Sequence, residues 1–342
     1  MSKILVIRLS AIGDVAMTVP VVQSFAVKYP QHQITVLSRP RMSSLFAGLP
    51  SNVSFMGIDL QNEYKGVAGL LKLCRMLEKE GYDCIADLHD VLRTKFIRGY
   101  FTLKRYKCAH IDKGRSEKKA LVREKNKEFR QLKSSFQRYA DVFGRLGMPV
   151  EISFNSIYGE EKGDISAFMA ITGEKGCDKW IGIAPFATHA GKIYPPEEME
   201  KVVGILSGRR DVKIFLFGGG KKEVDILSAW EGKYSGTVCV AGKLKMDSEL
   251  ALMSRLDVMV SMDSGNMHLA SLTATPVISI WGATHPFAGF MGWKQEESNA
   301  VQLELPCRPC SVYGNKPCHR GDYACLQISP ETITEKILNT IS

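Results

Sequence analysis

The chain has 342 residues, of which 45% are hydrophobic, and its 45 Lys and Arg against 36 Asp and Glu give a formal net charge of +9. This length predicts about two domains, each able to bury a core. No apolar run of about 18 residues is present, which excludes a membrane-spanning helix. The opening residues, MSKILVIRLS, hold a short apolar run that Arg8 interrupts, with no small-residue cleavage site. They predict a strand rather than a signal peptide, and we expect a cytoplasmic protein.

The first half of the chain alternates short β-rich runs with amphipathic helical patterns. Strands are predicted at KILVIR (3–8), ITVLS (34–38), VSFMGID (53–59) and CIADLH (84–89). These runs are almost continuously apolar, as expected of parallel strands that are covered on both faces. The pattern predicts an α/β domain over residues 1–160.

The same pattern restarts in the second half, after a stretch rich in Gly, Glu, Lys and Asp over residues 150–178 that predicts a linker. A second doubly wound domain is predicted over residues 175–325, with strands at WIGIAPF, VKIFLFGGG, TVCVAG, DVMVSMD and PVISIWG. The last segment, 329–342, predicts a terminal helix with Ser329 as its N-cap and Pro330 at its first position.

Much of the positive charge lies between Arg93 and Lys133, where Lys and Arg far outnumber Asp and Glu. Such a stretch raises the local concentration of anionic partners. Nucleic acid, an anionic membrane surface and a phosphorylated glycolipid are all candidates at this stage. The alternative is an ordinary solvated helical face followed by a mobile loop.

Polar residues follow the first predicted strand. Ligands of open α/β sheets bind at the carboxyl ends of the strands, so two such domains are expected to line one shared cleft with these ends. Gly13 and Asp14 come directly after KILVIR, without the G-x-G-x-x-G dinucleotide fingerprint. Asp14 is either the cap of the next helix or a general base for a substrate hydroxyl.

The stretch SMDSGNMHLAS (261–271) ends a buried strand with a polar turn. Asp263 closes the strand, Ser264 and Gly265 form the turn, and Asn266 and His268 lie in the first turn of a helix. A helix N-terminus offers unpaired N–H groups and a partial positive charge, which suit a diphosphate. The stretch therefore predicts a binding site for the phosphates and ribose of a nucleotide-sugar. A purely structural role for His268 is the alternative.

Two further strands end in residues that suit the same ligand. Thr188 and Lys192 follow WIGIAPF, and a lysine there neutralises a phosphate as a point charge. Glu223 follows VKIFLFGGG and either accepts hydrogen bonds from a ribose or only opens the next helix. For Lys192 the alternative is an ordinary exposed lysine.

Four stretches carry a family resemblance: IRLSAIGDVAMTVPVV, IAPFATHAGKIYP, residues 238–286 with their D-S-G-x-x-H-x-A turn, and the cysteine-bearing tail. In them the chain resembles the family 9 glycosyltransferases, the ADP-heptose:lipopolysaccharide heptosyltransferases of Gram-negative bacteria. The resemblance implies a GT-B fold, with two Rossmann-like doubly wound domains facing a central cleft. It also implies an inverting, metal-independent transfer of heptose from ADP-heptose to a lipopolysaccharide or lipooligosaccharide core.

The resemblance assigns residue roles as well. It implies that Asp14 deprotonates the acceptor hydroxyl and that Lys192 and Thr188 hold the donor diphosphate. The remaining donor contacts are expected at Glu223, Asp263, Ser264, Gly265, Asn266 and His268. The implied partners are the nucleotide-sugar and an anionic glycolipid at the inner face of the inner membrane, which the basic stretch would attract. Nucleic acid is not among them.

The chain has nine cysteines, an odd number, and no export signal, and both observations argue against a disulfide scaffold. Five lie in apolar settings and are expected in the cores: Cys74, Cys84, Cys108, Cys177 and Cys239. The other four have the spacing C-x2-C-x7-C-x6-C at Cys307, Cys310, Cys318 and Cys325. This spacing is compatible with a structural zinc site, a redox-labile pair or simple packing.

Other functions share parts of this pattern. Another nucleotide-activated sugar in surface glycan synthesis is the nearest alternative. A nicotinamide-dependent oxidoreductase would use similar α/β layers, but the glycine fingerprint is missing. A non-catalytic nucleotide-binding protein would bind the donor without transferring it.

Overall fold

The computed structural model describes residues 1–342, and the chain divides into two compact units. The first unit comprises residues 1–113 and 134–157, and the second comprises residues 114–133 and 158–342. None of the helices combines the length and apolar character that crossing a membrane requires.

The first unit is built on a five-stranded, fully parallel sheet. Its strands are β1 (Lys3–Ile7), β2 (Gln33–Ser38), β3 (Val53–Gly57), β4 (Cys84–Asp87) and β5 (Lys107–His110). Its helices are α1 (Ile12–Ala16), α2 (Val19–Lys28), α3 (Gly66–Lys79), α4 (Leu92–Leu103) and α6 (Ser135–Arg145), while α5 (Arg115–Leu121) belongs to the second unit. The strand order β3-β2-β1-β4-β5 is doubly wound, as predicted.

The second unit repeats this plan with a six-stranded parallel sheet. The strands are β6 (Lys179–Ala184), β7 (Val212–Leu216), β8 (Thr237–Cys239), β9 (Val258–Met262), β10 (Val277–Ile280) and β11 (Ala300–Val301). The helices are α7 (Met169–Thr172), α8 (Pro196–Ser207), α9 (Lys221–Lys233), α10 (Met246–Met253), α11 (Gly265–Leu272) and α12 (Pro330–Ile341). The order β11-β10-β9-β6-β7-β8 is again doubly wound. Ser329 caps α12 by accepting the Thr332 N–H, which confirms the predicted terminal helix.

Each sheet carries its own hydrophobic core. In the first unit, residues of β1 and β4 such as Leu5 and Ile85 pack with Leu73 of α3 and Phe101 of α4, all fully buried. In the second unit, the central strands pack against α8 and α12. The central strands are the continuous apolar runs of the sequence because they are covered on both faces.

Residues 114–133, here called the inserted segment, pack within the second unit, whereas the sequence pattern predicts them in the first domain. Leu121 and Leu132 form a buried cluster with Ala288, and the Leu132 N–H donates to the Phe287 carbonyl over 2.9 Å. The Lys127 ammonium lies 2.8–3.3 Å from the four successive carbonyl oxygens of residues 306–309, among which its three N–H groups are shared. The basic stretch from Arg93 to Lys133 is therefore divided after Lys113: its first part belongs to the first unit and its second part to the second unit.

The cysteine predictions have a mixed outcome. Cys74, Cys84 and Cys239 are buried and Cys108 is half-buried, in keeping with the expected core positions. Cys177 is exposed, so its predicted core position is wrong. It precedes β6 in the turn that leads into the strand, where the chain is still at the surface.

Candidate active site

In the first unit, Asp14 follows β1, one of the two central strands from which the chain connections lead to opposite sides of the sheet. β1 lies between β2 and β4, so the connections from β1 and from β4 diverge at the carboxyl ends of these two neighbouring strands. Crevices of this kind are where open α/β sheets bind ligands. Asp14 lies in α1, which begins five residues after β1 ends.

The Asp14 carboxylate is held by two groups. Its Oδ2 lies 2.6 Å from Nη2 of Arg8, and it also accepts the Ala11 N–H over 3.2 Å. The helix-capping role considered from the sequence is therefore present, together with an ion pair that the sequence did not predict. The Arg8 side chain is 6% exposed and that of Asp14 is 36% exposed. The pair thus turns its negative member outward.

Arg8 is fixed from several sides. Its Nη1 donates to the Leu88 carbonyl over 2.8 Å, and its guanidinium lies 5.9 Å from the Tyr139 ring centroid. Burial alone would lower the pKa of Arg8, but Tyr139 and Asp14 outweigh burial and raise that pKa. Arg8 is consequently a permanent cation, and such a neighbour favours the ionised form of Asp14.

The end of β4 contributes a second set of polar residues that sequence reasoning missed. Asp87 is fully buried, pairs with Arg98 at 2.8 Å and accepts the backbone N–H groups of His89 and Asp90. Burial, followed by the charges of Arg8 and Lys113, lowers the pKa of His89 to about 3. His89 is therefore a neutral imidazole near neutral pH. The signal in the sequence was CIADLHD, an apolar strand that ends in three titratable residues.

The second unit brings Lys192 and Asp263 together at the equivalent point of its sheet. β6 lies between β9 and β7, so its connections diverge at the boundary between β6 and β9. Lys192 follows β6 and Asp263 follows β9, and the Lys192 ammonium lies 2.7 Å from Oδ2 of Asp263. Here the carboxylate is only 3% exposed and the ammonium is 15% exposed. The positive member of this pair is the more exposed of the two.

Helix α11 begins directly behind this pair. Ser264 is its N-cap residue with extended backbone, and its hydroxyl lies 3.3 Å from that of Ser261. Gly265 and Asn266 are half-buried in the first turn, whereas His268 is buried. The first N–H groups of α11 therefore lie at the carboxyl end of β9, next to Asp263.

Thr188 and Glu223 lie near the same sheet edge. Thr188 is exposed in the loop after β6. Glu223 is in the first turn of α9, which follows β7, and its carboxylate accepts the Gly219 N–H over 2.8 Å. Because β7, β6 and β9 are adjacent, these residues and the Lys192–Asp263 pair follow three neighbouring strands.

Close backbone packing fixes the loop that carries Lys192. The Ala283 N–H, after β10, donates to the Gly191 carbonyl over 2.8 Å. A Cβ on Gly282 would lie 2.5 Å from that carbonyl oxygen, and a Cβ on Gly314 would lie 2.6 Å from Cγ of Lys192. Gly314 also has a φ of +70°, which glycine adopts without strain. The tail loop thus supports the aliphatic part of Lys192.

Arg308 attaches the cysteine-bearing tail to the turn after β10. This buried guanidinium donates to the carbonyls of Trp281, Gly282 and Thr284. In the same turn, burial and the nearby charges of Arg308 and Lys127 lower the pKa of His285 to about 4. No group of three or more His, Cys, Asp or Glu side chains in the structure is arranged to hold a metal ion.

Comparisons with known proteins agree with this architecture. The sequence profile described as glycosyltransferase family 9 (heptosyltransferase) matches residues 70–319. The chain belongs to glycosyltransferase family 9. It is a glycosyltransferase, and the family resemblance noted in the sequence is confirmed.

Individual relatives resemble this chain in sequence or in fold. The lipopolysaccharide core heptosyltransferase OpsX of Haemophilus influenzae is 25% identical over 291 residues, which cover 82% of this chain and 79% of that protein. The structure of a family 9 glycosyltransferase from Veillonella parvula has a TM-score of 0.74 at 17% identity, with 99% and 97% of the chains covered. The E. coli ADP-heptose LPS heptosyltransferase II has a TM-score of 0.70 at 17% identity, with 99% and 98% covered. The predicted GT-B class, with its two parallel-sheet domains, is confirmed.

Proposed function

We propose that this family 9 enzyme transfers a heptose from ADP-heptose to the core of a lipopolysaccharide or lipooligosaccharide. The family membership supports sugar transfer. The similarity to OpsX, a lipopolysaccharide core heptosyltransferase, and to the E. coli ADP-heptose LPS heptosyltransferase II supports this donor and acceptor. The observation that carries the proposal is the Lys192 ammonium, the more exposed member of its ion pair, held at the carboxyl edge of the second sheet next to the start of α11.

The second unit is the proposed donor site. The Lys192 ammonium and the first N–H groups of α11 would bind the diphosphate, with Thr188 in the neighbouring loop. Asp263 and Glu223 would accept hydrogen bonds from the ribose, and Ser264, Gly265, Asn266 and His268 would line the nucleotide. Negative charge grows on the departing diphosphate during transfer, so a cation fixed beforehand at that place lowers the barrier.

Asp14 is the proposed base. The acceptor hydroxyl oxygen forms a bond to the anomeric carbon while the bond from that carbon to the diphosphate oxygen breaks. The hydroxyl proton passes to the Asp14 carboxylate, and ADP leaves with the electron pair of the broken bond. A single displacement of this kind inverts the anomeric carbon. Arg8 supports it by keeping Asp14 ionised and by fixing its direction.

We propose that the transfer itself needs no metal ion, because Lys192 and the α11 amides supply the positive charge that a metal would supply.

A structural zinc ion at the four C-terminal cysteines is a separate hypothesis. Burial is the main cause that raises the pKa of the Cys325 thiol to about 11. Metal analysis of protein purified without chelators decides the question, and zinc well below one per chain rejects the site.

The acceptor is the proposed link to a membrane. A glycolipid anchored in the inner leaflet is anionic, and it would bring the enzyme to the cytoplasmic membrane surface as a peripheral protein. No segment of the chain would need to cross the bilayer for this.

The proposal is tested by comparing Asp14→Asn with Asp59→Asn. Asp59 also accepts neighbouring backbone N–H groups but lies in a loop after β3. We expect Asp14→Asn to retain ADP-heptose affinity, measured as protection against thermal unfolding, and to lose about 10²–10⁴-fold in turnover. Asp59→Asn should turn over at the wild-type rate. Wild-type turnover by Asp14→Asn would remove its role as base, and protection by a UDP-sugar in place of ADP-heptose would favour the alternative donor.

A further inference from the structure

Helix α4 exposes two large apolar side chains that its own unit does not cover. Leu92 is 85% exposed and Leu103 is 87% exposed. They are eleven residues apart, which places them within about 20° of each other around the helix. The opposite face buries Thr94, Ile97 and Phe101 in the core of the first unit. The helix is therefore amphipathic, with leucines at both ends of its outer face.

The outer face of α4 continues between these leucines without a carboxylate. Gly99 is exposed and Phe96 is half-buried at intermediate positions of the same face. From Leu92 to Lys107 the chain contains six Lys and Arg and no Asp or Glu. Three acidic side chains from outside this segment do approach it: Glu78 pairs with Lys104, Asp87 pairs with Arg98, and Asp90 lies 3.8 Å from Lys95.

Exposed cations lie at both ends of the apolar face. Arg93 and Lys95 are exposed in the first turn of α4, and Lys104 and Arg105 are exposed at its end. Long basic side chains beside an apolar helix face suit the boundary between lipid headgroups and acyl chains, where the leucines enter and the cations remain at the phosphates. A protein partner fits less well, because protein interfaces are depleted in lysine.

We propose that the outer face of α4 docks the enzyme on an anionic phospholipid bilayer, with Leu92 and Leu103 inserted and Arg93 and Arg105 against the lipid phosphates. This surface is inferred from the exposure and charge of its residues. Its purpose rests on the proposed function, in which the acceptor is a glycolipid. The helix lies in the plane of the membrane, and its 12 residues span about 18 Å. The part of the basic stretch within the first unit thereby has a specific target.

The test is flotation of the full-length protein with vesicles of phosphatidylethanolamine and phosphatidylglycerol. We expect the double variant Leu92→Ser/Leu103→Ser to partition about tenfold more weakly, since the inserted apolar area is lost. The control is Val27→Ser, which removes a 61% exposed apolar residue from α2 of the same unit. It should bind vesicles like the wild type. Equal binding by the leucine variant would overturn the proposal.

The charge requirement is tested with Arg93→Gln/Arg105→Gln. Each lost charge should weaken binding about fivefold on phosphatidylglycerol vesicles and should change nothing on phosphatidylcholine vesicles. Wild-type binding that is equal on both lipids would overturn the electrostatic half of the proposal. If the wild type is a dimer in solution and the leucine variant is a monomer, the face is an interface between copies and the proposal is wrong.

Transfer assays separate this proposal from the proposed function. On a core acceptor whose fatty acids have been removed, the leucine variant should transfer heptose at the wild-type rate. On the same acceptor embedded in vesicles, the transfer rate of the leucine variant should fall by about the same factor as its affinity for the vesicles. Failure of the wild type on both acceptors would refute the function and leave the vesicle result standing on its own. Equal loss on both acceptors would show that the substitutions damage the enzyme, and it would overturn the docking role.

Discussion

The Lys192–Asp263 ion pair gives a test that separates stability from ligand binding. The two charged atoms are 2.7 Å apart, and the two side chains are 15% and 3% exposed. At an effective dielectric constant of about 20, charges at this distance attract by roughly 6 kcal/mol, which is an upper limit because both ions also lose hydration. Lys192→Met leaves the buried Asp263 without its cation, and such losses cost about 3–5 kcal/mol.

The predicted loss is large enough to measure by thermal unfolding. A loss of about 3 kcal/mol in a unit of this size should lower its Tm by roughly 6–12 °C. Asp263→Asn in the Lys192→Met background removes the uncompensated carboxylate and should restore most of the free energy of unfolding. The double variant should still bind ADP-heptose poorly, because the cation for the diphosphate is absent. Lys175→Met is the control: Lys175 pairs with Asp257 at 2.9 Å, but both side chains are more than a quarter exposed, so the loss should be at most about 1 kcal/mol.

Two results would refute this reasoning. If the effects of Lys192→Met and Asp263→Asn on the free energy of unfolding simply add, the pair is not coupled and the short distance has no energetic meaning. If the double variant binds ADP-heptose as well as the wild type does, Lys192 does not hold the diphosphate.

Three further predictions concern the surroundings of the two ion pairs. Gly314→Ala places a methyl group against Lys192 and strains a left-handed backbone, so donor affinity should fall about tenfold, as measured by isothermal titration. For His89, with a pKa of about 3 in the folded chain and about 6.5 unfolded, the unfolded state binds more protons below neutral pH. The wild type should therefore lose about 2 kcal/mol from this residue between pH 7 and pH 5, and His89→Gln, unlike the exposed His319→Gln, should remove that loss from urea unfolding curves. Lys127→Met should release the inserted segment, so that its amides exchange with deuterium at least about tenfold faster while those of the first sheet are unchanged.

Much of the fold could be predicted because buried parallel strands are apolar along their whole length. For β1, β4, β6 and β9, the predicted first residue lies within one residue of the observed one, and the predicted last residue lies within two. The edge strands β5 and β11 were missed. β5 reads KCAH, in which both end residues are exposed, so it carries no apolar run to detect.

The inserted segment could not be predicted because its attachment depends on distant parts of the chain. Lys127 and its carbonyl partners are about 180 residues apart in sequence, and the local composition on either side of Lys113 is equally basic. Composition describes how a segment interacts with water and ions. Which unit it packs on depends on apolar side chains such as Leu121 and Leu132 meeting a matching surface.

The positions of the site residues could be predicted, but their pairing could not. That residues after the strands matter follows from the α/β pattern alone. That Lys192 meets Asp263 requires β9 beside β6, and strand order is a property of the folded sheet. Arg8 and Asp14 are only six residues apart, but their contact depends on how the turn between β1 and α1 folds.

The two ion pairs are built in opposite senses, and this difference fits the two proposed tasks. In the first unit the cation is buried and the carboxylate is the more exposed partner, whereas in the second the carboxylate is buried and the cation is the more exposed partner. A base must reach a substrate hydroxyl, and a phosphate-binding group must reach a phosphate, so each task needs its own member on the outside. The buried member of each pair holds the outer one in a fixed direction before substrate arrives, which spares the enzyme that reorganisation during transfer. Exchanging the members of the first pair, as in Arg8→Asp/Asp14→Arg, would keep opposite charges at the two positions but would remove the outer carboxylate, and the buried aspartate could not donate to the Leu88 carbonyl as Arg8 does. Burial as well as residue type therefore determines the role of each side chain.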